Sequence, residues 1–275
     1  MPAVRTMLLL ALLALPAMAQ QLQLPQPSPL ARAMQTVGLT EITIEYSSPG
    51  AKGRQIFGGV VPFGKLWRTG ANSATRITFS KDVEIGGTKV PAGSYSFFTI
   101  PEKDSWTFIV NKNEKAGTDE YKQAEDVVRV QVKPQTEQKR EHLTFVFADT
   151  TDAGTTLDLE WDTLGVGLPI KAFTDEQVTA AIASLEKNSW RPLGNAARYM
   201  LDTKKDYAAG LKLIDQSIAL DQNWSNLWLK ARLLNATGKK DEARKLAERV
   251  QQLGEKAGPA FFAAEDVKKA LAEWR

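Results

Sequence analysis

From Leu39 to about Ile170 the chain alternates apolar and polar residues with a period of two, interrupted by glycine and proline, and this pattern decides most of its fold. A strand points successive side chains to opposite faces, so such a stretch predicts half-buried strands with one apolar face. Ile42, Ile44 and Tyr46 alternate with Thr43 and Glu45. Leu143, Phe145 and Phe147 alternate with Thr144 and Val146, and Leu157, Leu159 and Trp161 with Asp158 and Glu160. Gly86-Gly87 joins Val83-Glu84-Ile85 to Thr88-Lys89-Val90 and predicts a two-residue hairpin, because both positions tolerate positive φ. Phe97, Phe98 and Ile100 place apolar groups on both faces of one strand, as a central strand covered on its outer side requires. Roughly nine strands with no crossover helices between them predict an antiparallel β-sandwich of jelly-roll type over residues 39–170.

Beyond Pro169 the texture becomes helical, and residues 174–275 read as a second, smaller domain. Thr174-Asp175-Glu176-Gln177 has the form of a capping box opening a helix to about Asn188. Asp206 to Asn223 resembles the second helix and exit turn of a tetratricopeptide repeat, and Leu227, Ala231, Leu234, Gly238 and Ala243 resemble the next unit. That resemblance implies helical hairpins turning near Lys204-Lys205 and Gly238, with Gly210 and Ala243 at close crossings. Trp224 and Trp228, four apart, share a face, and Trp274 closes the chain as an anchor.

Arg5, the apolar run Met7 to Leu15 and Ala17-Met18-Ala19 predict a signal peptide over residues 1–19, hence a periplasmic or secreted protein with no integral membrane segment after cleavage. Residues 20–38, rich in glutamine and proline at their start, read as a flexible leader. There is no cysteine, which excludes disulfides, thiolate metal sites, cysteine nucleophiles and a lipid-modified amino terminus. Loss of Arg5 takes the formal charge from +3 to +2, and a balance this close to neutral gives no footprint for nucleic acid.

One segment fits neither period. Gly53 to Asn72 gathers five glycines around Arg54, Lys65, Trp67, Arg68 and Asn72, so it predicts a tightly folded loop presenting those five side chains to a ligand. Guanidinium groups suit carboxylate or phosphate, indole suits a sugar face, and a carboxamide both donates and accepts. The same residue types also plug sandwich ends and satisfy carbonyls. With Thr75 to Phe79, Val83 to Gly87, Val90 to Pro101 and Trp106 to Asn111, the loop resembles the DUF2911 family of secreted bacterial proteins, a domain of unknown function, in register from about Ser48 to Ile170. Ala51-Lys52-Gly53-Arg54 stands where that family more often has Arg-Gly-Arg. The resemblance implies no activity, cofactor or metal.

His142 is the only histidine, which disfavours a Ser-His-Asp triad and a histidine zinc site. It reads as a surface residue at a strand end. Asp158, Glu160 and Asp162 alternate on one strand and keep two-carboxylate glycoside hydrolysis open, although acidic residues are ordinary on a wet strand face. Asp149-Thr150-Thr151-Asp152 lacks the spacing of a calcium loop and reads as a turn. Three functions remain: a non-catalytic module binding a small molecule, glycan or protein, a carboxylate hydrolase acting on an envelope polymer, or an interaction protein using its helices.

Overall fold

A computed structural model describes residues 24–185 and 189–274. The expected signal peptide lies outside them. The chain divides between Ala172 and Phe173 into two compact units.

The first unit contains ten strands among the described residues: β1 (Leu30–Val37), β2 (Thr40–Ser47), β3 (Arg76–Phe79), β4 (Val83–Ile85), β5 (Thr88–Val90), β6 (Gly93–Pro101), β7 (Trp106–Asn111), β8 (Asp126–Val132), β9 (Gln135–Ala148) and β10 (Gly154–Ala172). They form a six-stranded sheet, β1-β2-β3-β6-β7-β8, and a four-stranded one, β5-β4-β10-β9, and every pairing is antiparallel. Ile42, Ile44, Ile77, Phe79, Phe97 and Phe108 from the first sheet share one buried core with Val83, Ile85, Leu143, Phe145, Leu157, Leu159 and Trp161 from the second. The period-two faces therefore meet each other, as a sandwich requires. At the β4–β5 turn Gly86 and Gly87 have φ of +57° and +78°, the conformation that a two-residue hairpin demands.

The leader assignment for residues 20–38 fails from Leu30 onward. Residues 30–37 are β1, paired with β2 at every position from Leu30↔Ser47 to Val37↔Thr40. Ala31 and Ala33 pack inward on the core, and such small residues give the alternation almost no amplitude in the sequence.

β6 is central and covered on both sides. Its outward Phe98 and Ile100 form a satellite cluster with Leu66, Ile109, Ala116 and Tyr121. Residues 112–122, which supply part of that cover, are tied down by polar bonds: Ser96 Oγ donates to Asn113 O at 2.7 Å, and Tyr121 Oη to Asp126 Oδ2 at 2.7 Å. Burial, then the bond to Asp126, pushes the Tyr121 phenol up to about 12.

The second unit has α1 (Thr174–Ala183), α2 (Trp190–Tyr199), α3 (Tyr207–Leu220), α4 (Trp224–Ala236), α5 (Lys240–Ala257) and α6 (Ala264–Glu273). α1 has Phe173 rather than Thr174 at its cap position and ends at Ala183, short of the expected residue 188. The α2–α3 connection turns at Lys205 (φ +58°) and the α4–α5 connection at Gly238 (φ +83°). Asn223 caps α4 reciprocally with Asn226, and Asp206 caps α3. A Cβ on Gly210 would lie 2.7 Å from Leu233 Cδ2 and 3.3 Å from Met200 Cβ, so a larger residue at that helix crossing would have to displace Leu233. Ala243 is wholly buried, and Trp228 stacks on Trp274 at 5.6 Å.

Candidate functional site

The glycine-rich loop continues the lane of β3 alongside β6. Trp67 N donates to Thr99 O at 2.8 Å, Thr99 N returns the bond to Trp67 O at 2.9 Å, and Gly64 N donates to Pro101 O at 2.8 Å. This strand-like register sends alternate side chains to opposite faces. Leu66 joins the satellite cluster, and Trp67 enters the main core. The Trp67 indole stacks on Trp161 at 6.1 Å and meets Phe57 and Trp106 edge-on, while its Nε1 donates to Gly70 O at 3.0 Å. Trp67 is thus a plug between the two sheets.

The other four side chains do not converge on it. Arg54 donates from Nη2 to Gly50 O at 2.7 Å and from Nε to Ala51 O at 3.1 Å, closing its own turn. Asn72 sits in the left-handed region at φ +54° and donates from Nδ2 to Ser28 O at 3.1 Å, pinning the segment that precedes β1. Lys65 is exposed and Arg68 half-buried, and neither has a hydrogen bond or ion pair among the described residues. The loop spends Trp67, Arg54 and Asn72 on contacts within the chain and leaves two cations without a partner among the described residues.

A different set of residues builds a cleft of about 540 Å³. β10 runs alongside β9 from Thr156 to Glu160, shifts register on either side of Asp162 (φ +54°), and reaches β4 at Lys171 and Ala172. Between these two pairings the strand bends back over itself. Gly167 comes so near Asp158 that a Cβ there would lie 2.4 Å from Asp158 Oδ1, and one on Gly165 would lie 2.5 Å from Glu137 Cγ. Glycine inside a strand marks such close approaches. The trough so formed is lined by four carboxylates, Glu137, Asp149, Asp158 and Glu160, with Lys133 on its wall. Glu160 is neutralised by Arg140, whose Nε and Nη2 lie 2.6 and 2.5 Å from Oε2. Among the described residues Asp158 has no such partner. Burial raises its carboxyl above the ordinary value, and the neighbouring Glu160, Asp149 and Glu137 raise it further.

Comparison with family models decides the kinship: the model described as protein of unknown function (DUF2911) matches residues 28–170, more than half of the chain. The chain belongs to the DUF2911 family. Comparison with curated proteins and with solved structures found no match.

The DUF2911 match takes in β1, twenty residues before the register visible in the motifs, and contains both the plugged loop and the trough. Within this DUF2911 domain, Asp158 and Glu160 do share a face, as their alternation implies, but Asp162 sits at the bend and does not line the cleft. His142 is exposed midway along β9, bridging to Gly50. Asp149 begins a turn closed by Thr151 N donating to Gly154 O at 2.9 Å, and its carboxylate reaches the trough. Among the described residues no group of three or more His, Asp or Glu side chains is arranged to hold a metal ion. Glu137, Lys133 and the two glycines were not singled out by sequence reasoning. The one local signal was Gly165-Val166-Gly167 inside an otherwise alternating strand.

Proposed function

We propose that this DUF2911 protein is an exported, non-catalytic binding module of the cell envelope, periplasmic or secreted, whose sandwich takes an amine-bearing small molecule or glycan in the acidic trough. The observation that carries the reading is Asp158: a carboxyl without an ion-pair partner among the described residues, held partly desolvated among three others at the bend of β10. A protonated amine placed there would relieve the repulsion and add charge-assisted hydrogen bonds. The five loop residues are proposed in two roles, with Arg54, Trp67 and Asn72 building the scaffold and Lys65 and Arg68 free to contact a ligand's anionic group.

Calorimetric titration of the mature chain with glucosamine oligosaccharides and with spermidine tests this, the acetylated oligosaccharides serving as controls. Binding of the amines, lost in Asp158→Asn and weakened in Glu137→Gln, supports the reading. An absence of binding, or binding indifferent to both substitutions, overturns it.

A second reading is favoured by one feature of the same cleft, the contrast between Asp158, held above the usual carboxylate range, and Glu160, paired with Arg140. Two carboxyl groups in unlike surroundings, one desolvated and one ion-paired, are what glycoside hydrolysis uses. The binding reading is preferred because Arg140 already engages one oxygen of Glu160 through two of its nitrogens, which ties up part of the carboxylate that an attack or a general-base step would use. Release of reducing ends from an envelope glycan, abolished by Asp158→Asn, would favour hydrolysis instead.

A further inference from the structure

The six-stranded sheet carries a cavity of about 370 Å³ on its outer face, beside the end of β2. The register of three strands lays its floor. Glu45 of β2 stands between Arg32 of β1 and Arg76 of β3, and Ser47, two residues on, points the same way and lies opposite Leu30. The segment 112–122, held to β6 by the bond from Ser96 to Asn113, brings Glu114 and Lys115 to the cavity. Leu30, 77% exposed, lines it from β1.

Two carboxylates and two cations therefore meet in one place, but only one pair is formed. Arg76 Nη2 and Glu45 Oε2 lie 2.6 Å apart. That bond raises the Arg76 guanidinium above its ordinary value, and the charge of Glu114 adds to the rise, so Glu114 stands within electrostatic reach of the same guanidinium. Glu114 and Lys115 are exposed, and neither side chain has a hydrogen bond or ion pair among the described residues. One anion and one cation are left unanswered. Ser47 adds an independent sign of a ligand: it is only 8% exposed and lines the cavity, yet its hydroxyl has no hydrogen bond among the described residues. A buried hydroxyl is costly unless something supplies its partner.

We propose that this cavity binds a free α-amino acid with an aliphatic side chain, its ammonium on Glu114, its carboxylate on Lys115, Arg76 and the Ser47 hydroxyl, and its side chain against Leu30. A ligand of single charge would satisfy one of the unanswered groups and desolvate the other, whereas a zwitterion satisfies both. Arg76 gives only Nη2 to Glu45, so the rest of its fork of donors can meet a carboxylate. The volume falls toward the small end of the range for small-molecule sites, about 300–1,000 Å³. No residue lines both this cavity and the acidic trough.

The test is isothermal titration calorimetry of the mature full chain with leucine, leucinamide and N-acetylleucine. Leucine is expected to bind with a Kd of about 1 mM or tighter, and each analogue, lacking one of the two charges, at least about tenfold more weakly. Glu114→Gln and Lys115→Gln should each weaken leucine about tenfold. Both side chains are exposed and unbonded, so these variants should keep the parental melting temperature and report on binding alone. Ser47→Ala should weaken leucine as well, without lowering the melting temperature of the ligand-free chain. Failure of leucine to bind, binding of N-acetylleucine as tight as that of leucine, or leucine binding unchanged in Glu114→Gln and Lys115→Gln overturns the proposal. So does equal binding of leucinamide, which would assign the amine to the acidic trough instead.

Discussion

At the scale of single residues, the glycine-rich loop shows how one composition serves two purposes. Arg54 and Arg68 look alike in the sequence, but Arg54 satisfies two backbone carbonyls and Arg68 none. Arg54→Ala is expected to lower unfolding free energy by about 1 kcal/mol in urea, since it removes charge-assisted bonds at a half-exposed turn. Arg68→Ala is expected to shift it by less than about 0.5 kcal/mol. Equal losses would mean that Arg68 has a structural partner after all. Asp158 supplies a prediction of opposite sign. Its folded carboxyl is raised, so its favourable contribution is present below the ordinary value of 3.8 and lost as pH rises through the folded value. At neutral pH the ionised group therefore works against the fold. Asp158→Asn should raise the unfolding free energy at pH 7 by on the order of 0.5 kcal/mol after allowance for solvent screening, and should give no gain at pH 3. A loss of stability at pH 7 would show that the carboxylate is held by something favourable.

At the scale of elements, helix crossings are as tight as their small residues imply. Ala243 is fully exposed to packing and not at all to water, so Ala243→Leu should overpack α5 against its neighbours and cost about 1 to 3 kcal/mol in chemical unfolding. An unchanged midpoint would place residue 243 off the contact. The elements most legible in the sequence were those whose signal is local: the Gly86-Gly87 hairpin, the apolar faces of β2, β9 and β10, and the turns at Lys205 and Gly238. β1 was not legible because only Val37 of its inward residues is a large apolar one, the others being Ala31, Ala33 and Gln35, and it becomes a strand only by pairing with β2. The trough was only half legible. Alternation put Asp158 and Glu160 on one face, but Glu137, Asp149 and Gly167 reach them through the bend at Asp162, a long-range consequence of register shifts that no local pattern carries. Trp67 was recognised as important for its residue type, yet that type could not tell a sugar platform from a plug.

At the scale of the whole molecule, the two units have separate cores. The sandwich core draws on residues from Ala31 to Ala172, and the helical clusters on residues from Ala197 to Trp274, with no residue in common. Each unit exceeds the size at which a single chain needs disulfides or metals to stay folded, and the DUF2911 match ends at residue 170, close to the division at Ala172. A fragment of residues 24–172 should therefore fold by itself and unfold cooperatively. Where it begins decides the outcome. β1 covers the edge of β2 along eight paired positions and contributes Val37, wholly buried, to the core. A fragment cut at residue 39, where period-two alternation first becomes visible, keeps every strongly patterned strand but leaves β2 as a bare edge beside an opened core. Unpaired edges of that kind recruit other chains. Size-exclusion chromatography and calorimetry of the two fragments should give a monomer with one sharp transition for 24–172, and an aggregating or broadly melting species for 39–172. Equal behaviour of the two would mean that β1 is an accessory to the sandwich, and that the alternating strands close the fold without it.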